Sequence, residues 1–381
     1  MTLVAQTANF VTPTSGGLRT TLNALASGYA AAGHDVVQVL PGPRDETIDT
    51  AWGRVVSVRS PEVPGTGYRM VLRPRQVSDV LERLGPDRLE VHDRTTLRCL
   101  GAWAQARGVP SLVVSHERLD RLLTQWLSPR LPCERLADRS NTSLAASFDR
   151  VVCTTAWAAQ EFLRVGARNL VRVPLGVDLD RFHPQDPPAG AGDPDELVLL
   201  LASRLSKEKR PELAIDTLAE LRRRGLRVRL VVAGDGPMRA GLKRRASGLP
   251  VTFLGFVRDR DQVARLLAGS DVVLAPGPIE TFGLAALEAL ACGTPVVANA
   301  LSALREVLGA SGEAVGGTPR SFADAVERVL SRPSDERRRV ARGRAEQFPW
   351  SATIDGFLGT HGLDTHGLDT HGRPPRDVAA A

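Results

Sequence analysis

The stretch Ala275–Val296, APGPIETFGLAALEALACGTPV, joins an apolar run to an apolar helix through a turn rich in Gly and Pro. Glu280 precedes the predicted helix, and Glu288 lies eight positions later, just over one turn into it. The first N–H groups of a helix have no partner within the helix and can bind a phosphate. We therefore predict a site for a phosphorylated ligand, with Glu280 facing a sugar and Glu288 accepting hydrogen bonds from a ribose diol. Its backbone amides belong to Thr281, Phe282, Gly283 and Leu284.

Short apolar runs alternate with helical patterns on both sides of this stretch. In the second half of the chain, the predicted strands are Leu197–Ala202, Arg229–Ala233, Val251–Val257, Val272–Pro276 and Pro295–Asn299, with helices over Arg210–Arg224 and Leu284–Cys292. In the first half, they are Leu3–Ala5, Asp35–Leu40, Arg54–Val58, Ser111–Ser115, Arg150–Thr154 and Leu170–Val173, with a helix over Leu18–Ala32. Such alternation predicts an α/β fold, a parallel sheet covered by helices on both faces.

A polar segment, His183–Glu196, interrupts this alternation and has the composition of a linker. We predict an N-terminal Rossmann-like domain over residues 1–172, a C-terminal one over 173–345 and a C-terminal helix over 346–359. Residues 360–381 contain the repeat THGLDTHGLDTHG and are predicted to be a disordered tail, with metal binding by its histidines as the alternative. Ligands of open parallel sheets bind beyond the carboxyl ends of the strands, so both domains are expected to face one cleft.

Charge and composition disfavour several classes of protein. The 381 residues carry a net charge of +6, which suits anionic partners such as sugar nucleotides and acidic lipid surfaces. Nucleic acid is disfavoured, because only 4% of the residues are aromatic. No apolar run approaches the roughly 20 residues that cross a bilayer, and no basic segment begins the chain. The four cysteines lack CxxC spacing, so we expect a cytoplasmic protein without a structural zinc.

Three further stretches that follow predicted strands carry candidate functional residues. Gly16 and Gly17 precede the first helix, where amides can approach an anion, although a tight turn also explains them. His116 follows the strand Ser111–Ser115, where a structural role is equally open. Arg204 and Lys209 follow the strand Leu197–Ala202. They would clamp a diphosphate, and a solvated charged loop is the alternative.

Taken in order, these stretches resemble the retaining GT-B glycosyltransferases of family 4, the glycosyl transferases group 1. The resemblance runs from about residue 12 to residue 355. It is carried by Gly16 with Gly17, GHDV at 33–36, VPLGVDLDRF at 173–182, Arg204 with Lys209, GDGP at 234–237, VTFLG at 251–255 and Glu280 with Glu288. One departure is Ser302-Ala303, where the family often has two glycines.

Within this family, the chain looks most like actinobacterial mannosyltransferases that make phosphatidylinositol mannosides from GDP-mannose. This closer resemblance is carried by Ser115–Asp120 and by the Arg-rich composition. It implies a glycolipid acceptor in the N-terminal domain, GDP-mannose in the C-terminal domain, retention of configuration, and no metal or other cofactor. The catalytic residues it implies are His116, Arg204, Lys209 and Glu280. The other substrate-binding residues it implies are Gly16, Gly17, Val257, Thr281, Phe282, Gly283, Leu284 and Glu288.

Several alternatives stay open at the level of the sequence. They are another nucleotide sugar or a soluble acceptor, a GT-B nucleotide-sugar epimerase or phosphorylase, and a sugar-nucleotide binder without activity. Asp178-Leu-Asp180 resembles the DxD metal motif of a different glycosyltransferase fold, but it lies just before the linker, so we expect no metal there.

Two segments with several arginines suggest docking on an anionic membrane surface. Arg69–Arg75 carries three arginines and no acid, and Leu119–Arg139 combines leucines and Trp126 with flanking arginines that start at Arg118. A helix with an apolar face flanked by basic residues can bind in the headgroup layer of an anionic membrane. We therefore predict a peripheral protein on the inner leaflet of the plasma membrane, with packing of the leucines into the core as the alternative.

Overall fold

The computed structural model of the chain describes residues 1–11, 16–64, 67–126, 131–185, 193 and 195–363. The chain forms two units, one made of Met1–Gly176 with the segment that begins at Trp350, and the other of Val177–Pro349. The division follows Gly176 rather than residue 172, and the segment predicted as a linker, 183–196, belongs to the second unit. Of that segment, residues 186–192 and 194 lie outside the described residues.

In the described part of the first unit, eight strands form one sheet. They are β1 (Leu3–Thr7), β2 (Asp35–Gly42), β3 (Glu46–Thr50), β4 (Gly53–Arg59), β5 (Arg88–Val91), β6 (Ser111–Ser115), β7 (Arg150–Cys153) and β8 (Leu170–Arg172). Their order is β3-β4-β2-β1-β5-β6-β7-β8, and the described neighbours are parallel except β3 with β4.

The strand order of this sheet reverses between β1 and β5, because the chain builds outward from β1 first on one side and then on the other. A crevice opens at the carboxyl ends of the strands at such a switch point. Gly16 lies between β1 and the first helix, and His116 directly follows β6. The topology thus places both predicted residues on the same edge of the sheet.

Helices cover both faces of this sheet. They are α1 (Gly17–Ala31), α2 (Pro74–Leu84), α3 (Leu100–Arg107), α4 (Leu119–Trp126), α5 (Cys133–Ser147) and α6 (Ala156–Arg164). Leu22, Leu25 and Tyr29, spaced three or four positions apart on α1, are fully buried. This spacing explains why the segment forms a helix against the sheet.

The second unit repeats this architecture. Its described strands are β9 (Leu197–Ala202), β10 (Val228–Ala233), β11 (Val251–Gly255), β12 (Val272–Ala275), β13 (Val296–Asn299) and β14 (Gly312–Val315), all parallel, in the order β11-β10-β9-β12-β13-β14. Its described helices are α7 (Glu212–Arg223), α8 (Arg239–Arg245), α9 (Arg260–Ala268), α10 (Leu284–Ala291), α11 (Leu304–Leu308), α12 (Pro319–Leu330) and α13 (Ser334–Ala345). The order reverses between β9 and β12, which defines a second switch point. The prediction of two Rossmann-like α/β sheets is confirmed.

The last helix, α14 (Trp350–His361), returns to the first unit and packs against α1. The contact is close, because a Cβ atom at Gly28 would lie 2.5 Å from Cδ1 of Ile354. The prediction that the tail starts at residue 360 is wrong at its first residues, since His361 is buried at the end of this helix. It is held there by polar partners described below. Residues 364–381, the rest of the predicted tail, lie outside the described residues.

Candidate active site

Lys209 and Glu280 come together at the switch point of the second sheet. Lys209 follows β9 and Glu280 follows β12, and Nζ of Lys209 donates to Oε1 of Glu280. Both side chains are about one quarter exposed, at 30% and 24%. The loop after β12 passes close to Lys209, since a Cβ atom at Gly277 would lie 3.4 Å from Cα of Lys209. The fold therefore unites two residues that were predicted from separate stretches.

The loop that carries Arg204 is held by the glycines of the GDGP stretch. Gly234 and Gly236 have positive φ values, and a Cβ atom at Gly234 would lie 1.9 Å from the carbonyl oxygen of Ser203. The amide of Leu205 donates to the carbonyl oxygen of Asp235 over 3.0 Å. These glycines allow the two backbones to touch, which fixes the Arg204 loop at the end of β9. Arg204 itself is half-buried.

The segment between Glu280 and α10 is shaped by Gly283, whose φ of +82° places it in the left-handed region at the helix start. Phe282 is buried against Phe348, with the rings edge to face and 6.0 Å apart, and Leu284 is buried as well. The predicted contacts of these residues with a phosphate therefore depend on backbone N–H groups. The amide of Ala303, at the departure from the family pattern, donates to the carbonyl oxygen of Glu280 over 2.8 Å.

Glu288 is buried on α10 and pairs with a residue that sequence reasoning missed. Nη2 of Arg260, on α9, lies 2.5 Å from Oε1 of Glu288, and its guanidinium stacks 5.0 Å from the ring centre of Phe182. Burial raises the pKa of Glu288, and Arg260 offsets part of this rise. The role of Glu288 in ribose binding stays a prediction. Nothing in the sequence marked Arg260 as a site residue, because it belongs to an ordinary run of charged residues.

One predicted residue, Val257, is not drawn into this cluster by any contact that the structure describes. The strand predicted to reach Val257 ends at Gly255, and β11 lies two strands away from β9. Asp178 of the DxD-like stretch accepts a hydrogen bond from the amide of Arg181 over 3.0 Å. Within the described ranges, no group of three His, Cys, Asp or Glu side chains is arranged to hold a metal ion.

On the first sheet, Gly16 and Gly17 are exposed at the start of α1, and Gly16 provides no side-chain cap. His116 directly follows β6 and is half-buried. Nε2 of His116 lies 2.7 Å from Nδ1 of His92, which directly follows β5. Burial and the neighbouring His92 lower the pKa of His116 to about 3, so His116 is neutral at neutral pH.

His92 belongs to a buried polar cluster centred on Glu90, and the sequence analysis did not find it. Nε2 of His92 contacts Oε1 of Glu90, to which Gln6 also donates over 2.9 Å. Tyr29 donates to Oε2 of Glu90 over 2.7 Å, and Nε2 of His361 lies 3.1 Å from the same oxygen. The signal available in the sequence was Leu89-Glu-Val-His92, where Glu90 and His92 alternate with apolar residues and would share one face of an extended segment.

The arginines predicted to dock on a membrane divide into two groups. Arg118 is buried and holds Asp120 through Nε and Nη2, at 3.0 and 2.5 Å, and Arg69 donates to the carbonyl oxygen of Ser60. Arg118 is therefore not a headgroup ligand, because its charge is used inside the unit. The exposed arginines of the two segments are Arg73, Arg75, Arg121, Arg135 and Arg139. Residues 127–130 lie outside the described residues, and none of the described helices is long and apolar enough to cross a bilayer.

Two family models match the chain: the Glycosyl transferase 4-like domain over residues 16–176 and Glycosyl transferases group 1 over residues 196–332. The chain is 48% identical over 365 residues to the GDP-mannose-dependent alpha-(1-6)-phosphatidylinositol dimannoside mannosyltransferase of Mycobacterium tuberculosis, covering 94% of this chain and 96% of that protein. It is 38% identical over 301 residues to a D-inositol 3-phosphate glycosyltransferase of Frankia alni, covering 71% and 73%.

Among solved structures, sucrose-phosphate synthase from Thermosynechococcus elongatus is similar in fold. The TM-score is 0.79 at 22% sequence identity, and the match covers 95% of this chain and 98% of that one. This likeness confirms the predicted GT-B architecture of the two sheets.

Proposed function

Because the chain belongs to the glycosyl transferases group 1 family, we propose that it transfers mannose from GDP-mannose to a phosphatidylinositol mannoside. The observation that carries the chemistry is the pairing of Lys209 with Glu280 at the β9/β12 switch point, in the same loop region as Arg204. The identity of the substrates is supported by the 48% identical relative, whose name states GDP-mannose as donor and phosphatidylinositol dimannoside as acceptor.

In the proposed reaction, the bond between the anomeric carbon of mannose and the diphosphate oxygen breaks. The same carbon bonds to an acceptor hydroxyl oxygen, and the hydroxyl proton passes to the departing diphosphate. Arg204 and Lys209 neutralise the negative charge that develops on this group. A lysine ammonium has three N–H donors, so Lys209 can donate to Glu280 and to a phosphate oxygen together.

We include retention of configuration and independence from divalent metal in the proposal. The support for the second point is that two cationic side chains follow β9, where they can perform the charge neutralisation that a metal performs in other enzymes. Transfer in the presence of EDTA should equal transfer in its absence. Dependence on added Mg²⁺ or Mn²⁺ would contradict this part of the proposal.

The choice of donor is tested by calorimetric titration with GDP-mannose, free GDP, UDP-glucose and ADP-glucose. We expect binding of GDP-mannose and free GDP, and weaker binding of the other two nucleotide sugars. Product analysis then separates the other classes. Conversion of the sugar nucleotide without transfer to lipid would favour an epimerase, and binding of GDP-mannose without any product would favour a binder without activity.

We also propose that the first unit docks on the anionic cytosolic leaflet. The support is a set of exposed leucines beside exposed arginines. On α5, Leu136 is 40% exposed and lies within one turn of Arg135 and Arg139. At the start of α2, Leu72 is 57% exposed beside Arg73. Each arginine near an anionic surface contributes about 1 kcal/mol.

Liposome flotation tests this docking. The protein should float with phosphatidylinositol-rich vesicles at low salt and not with neutral ones. The double variant Arg135→Glu/Arg139→Glu should lose binding. The matched control Lys243→Glu/Arg244→Glu changes the charge equally on α8 of the second unit and should keep it. Equal flotation of both double variants would contradict the proposed surface.

A further inference from the structure

A cation from a neighbouring helix reaches the buried carboxyl group of Glu288. Nη2 of Arg260, the first residue of α9, lies 2.5 Å from Oε1 of Glu288 on α10. The side chain of Glu288 is 9% exposed, whereas that of Arg260 is 40% exposed. A guanidinium group stays charged and only donates hydrogen bonds, so Oε1 of Glu288 accepts. The contact thus connects a solvent-accessible cation with a buried acceptor.

The position of Arg260 is fixed by its packing. Its guanidinium lies 5.0 Å from the ring centre of Phe182, which is buried. The carbonyl oxygen of Phe182 accepts from Nη1 of Arg342 over 2.8 Å, and the same nitrogen donates to the carbonyl oxygen of Ala291 over 3.0 Å. Arg342 thereby connects Phe182 to the last residue of the helix that carries Glu288. Arg260 and Glu288 are therefore held by the same set of contacts.

The contact with Arg260 leaves acceptor capacity on the carboxylate of Glu288. An ionised carboxylate has two oxygens with about four lone-pair sites, and Arg260 contacts one of these oxygens. The diol of a ribose presents two hydroxyl donors. A protonated carboxyl group has a hydrogen on one oxygen and accepts fewer hydrogen bonds. The ionised form of Glu288 is therefore the better partner for a ribose diol.

The charges around Glu288 give Arg260 a particular effect on its ionisation. Burial raises the pKa of Glu288, Arg260 acts to lower it, and Asp178 adds to the rise. Cys292, one turn further along the chain, is also close to Glu288. Burial raises the pKa of this thiol to about 12, so it is neutral at neutral pH. The counter-charge that favours ionised Glu288 is thus the one on Arg260.

Charged residues on other elements packed against α10 are engaged with backbone or exposed. Arg338 and Arg342, the cations of α13 that act on Cys292, donate to backbone carbonyl oxygens. Arg305 and Glu306, the charged residues of α11, are exposed. The strands β12 and β13 contain no titratable residue.

We propose that Arg260 is a positioning residue that holds the carboxylate of Glu288, as its counter-charge, to accept hydrogen bonds from the two hydroxyl groups of the donor ribose. This inference rests on the proposed function, because it takes a nucleoside diphosphate sugar as the donor. Without Arg260, the buried carboxylate would lose its charge partner and would take up a proton more readily. Binding of the ribose would then be lost as the pH falls through the raised pKa of Glu288.

The effect on Glu288 is measured by carbon NMR of the full chain labelled with ¹³C at the glutamate carboxyl carbon, in which Glu288→Gln identifies the Glu288 signal. Arg260→Met keeps an unbranched side chain beside Phe182 and removes the charge, so the titration midpoint of Glu288 should move to higher pH. The control Arg265→Gln removes an exposed cation from the same helix and should keep the wild-type midpoint. Equal midpoints in Arg260→Met and wild type would overturn the inference.

The effect on ribose binding is measured by calorimetric titration with GDP and with dideoxy-GDP, which lacks both ribose hydroxyl groups. The wild type should bind GDP at least about 10-fold more tightly than dideoxy-GDP. In Arg260→Met, this preference should be largely lost at about pH 6 and should partly return at about pH 8. The phosphates of both ligands titrate alike, so the ratio of the two affinities excludes their pH dependence. Arg260→Lys keeps a cation and should retain most of the preference.

The two measurements distinguish failure of this inference from failure of the proposed function. Equal weakening of GDP and dideoxy-GDP in Arg260→Met would show that Arg260 acts on the phosphates, and it would overturn the inference. An Arg260→Lys variant that behaves like Arg260→Met would contradict the role of the charge. A wild type that binds no GDP would reject the proposed donor, and the NMR midpoints would still decide whether Arg260 is the counter-charge of Glu288.

Discussion

Lys209 and Glu280 stand 71 positions apart in the chain and form an ion pair where the carboxyl ends of β9 and β12 meet. The first was predicted to bind the diphosphate of a nucleotide sugar and the second to bind its sugar. Because the two side chains touch, each orients the other, and the two positions should act as one unit in transfer.

We expect Lys209→Gln to lower kcat by about 10²- to 10³-fold, because a charge-assisted contact to the leaving diphosphate is lost. Adding Glu280→Gln to Lys209→Gln should cost less than Glu280→Gln costs alone, because the partner is already missing. Steady-state kinetics of the two single variants and the double variant measure this. Lys207→Gln, at an exposed lysine two positions away, is the matched control and should retain activity.

Nucleotide binding should separate the two glutamates. Glu288→Gln should weaken the binding of free GDP by roughly 10-fold, because a charge-assisted hydrogen bond to the ribose contributes about 1.5 kcal/mol or more. Glu280→Gln should bind GDP like the wild type and lose turnover. Titration calorimetry with GDP measures the affinity of both variants. Unchanged GDP affinity in Glu288→Gln would remove the ribose assignment.

Alanine substitutions at Gly234 and Gly241 should have opposite effects on stability, because Gly234 packs against Ser203 and Gly241 has open space around it. Gly234→Ala should destabilise the fold by at least about 1 kcal/mol and lower kcat, because its Cβ atom would displace the Arg204 loop. Gly241→Ala, inside α8 with no atom closer than 4.0 Å, should stabilise by about 0.5–1 kcal/mol. Urea unfolding compares the two. A neutral Gly234→Ala variant would show that the loop tolerates the displacement.

Two truncations test the role of His361. A chain that ends at residue 359 loses the contact of His361 with Glu90. Its free energy of unfolding should fall by about 1–3 kcal/mol, because a buried acceptor loses a donor. A chain that ends at residue 363 keeps this contact and should match the full chain. Equal urea midpoints for the two truncated chains would contradict the role given to His361.

Much of the fold was predictable because apolar runs dominate its strands. Leu197–Ala202 and Ser111–Ser115 match their predicted bounds, since each is a short run with a buried apolar centre between polar turns. The strand β5 was missed because Glu90 interrupts its apolar pattern and is compensated only by partners distant in the chain. Pattern reasoning treats such a glutamate as exposed, although tertiary contacts bury it.

Part of the candidate site was predictable because its residues follow strands that can be recognised from their apolar runs. Arg204, Lys209 and Glu280 lie in loops that directly follow strands, and strand ends can be located from sequence. The partners of other site residues were not predictable, because Arg260 contacts Glu288 from a neighbouring helix of the second unit, and His92 contacts His116 from the end of a neighbouring strand of the first unit. His361 was assigned to a repetitive tail because the repeat itself gives no sign that its first histidine is buried.

The most direct test of the central claim is an assay of the purified chain with radiolabelled GDP-mannose and phosphatidylinositol dimannoside in mixed micelles. The proposal predicts a labelled lipid product one hexose heavier than the acceptor, formed by the wild type and Lys207→Gln and strongly reduced in Lys209→Gln. Label that remains in GDP-mannose or appears only as free mannose, under conditions where GDP-mannose binds, would contradict it.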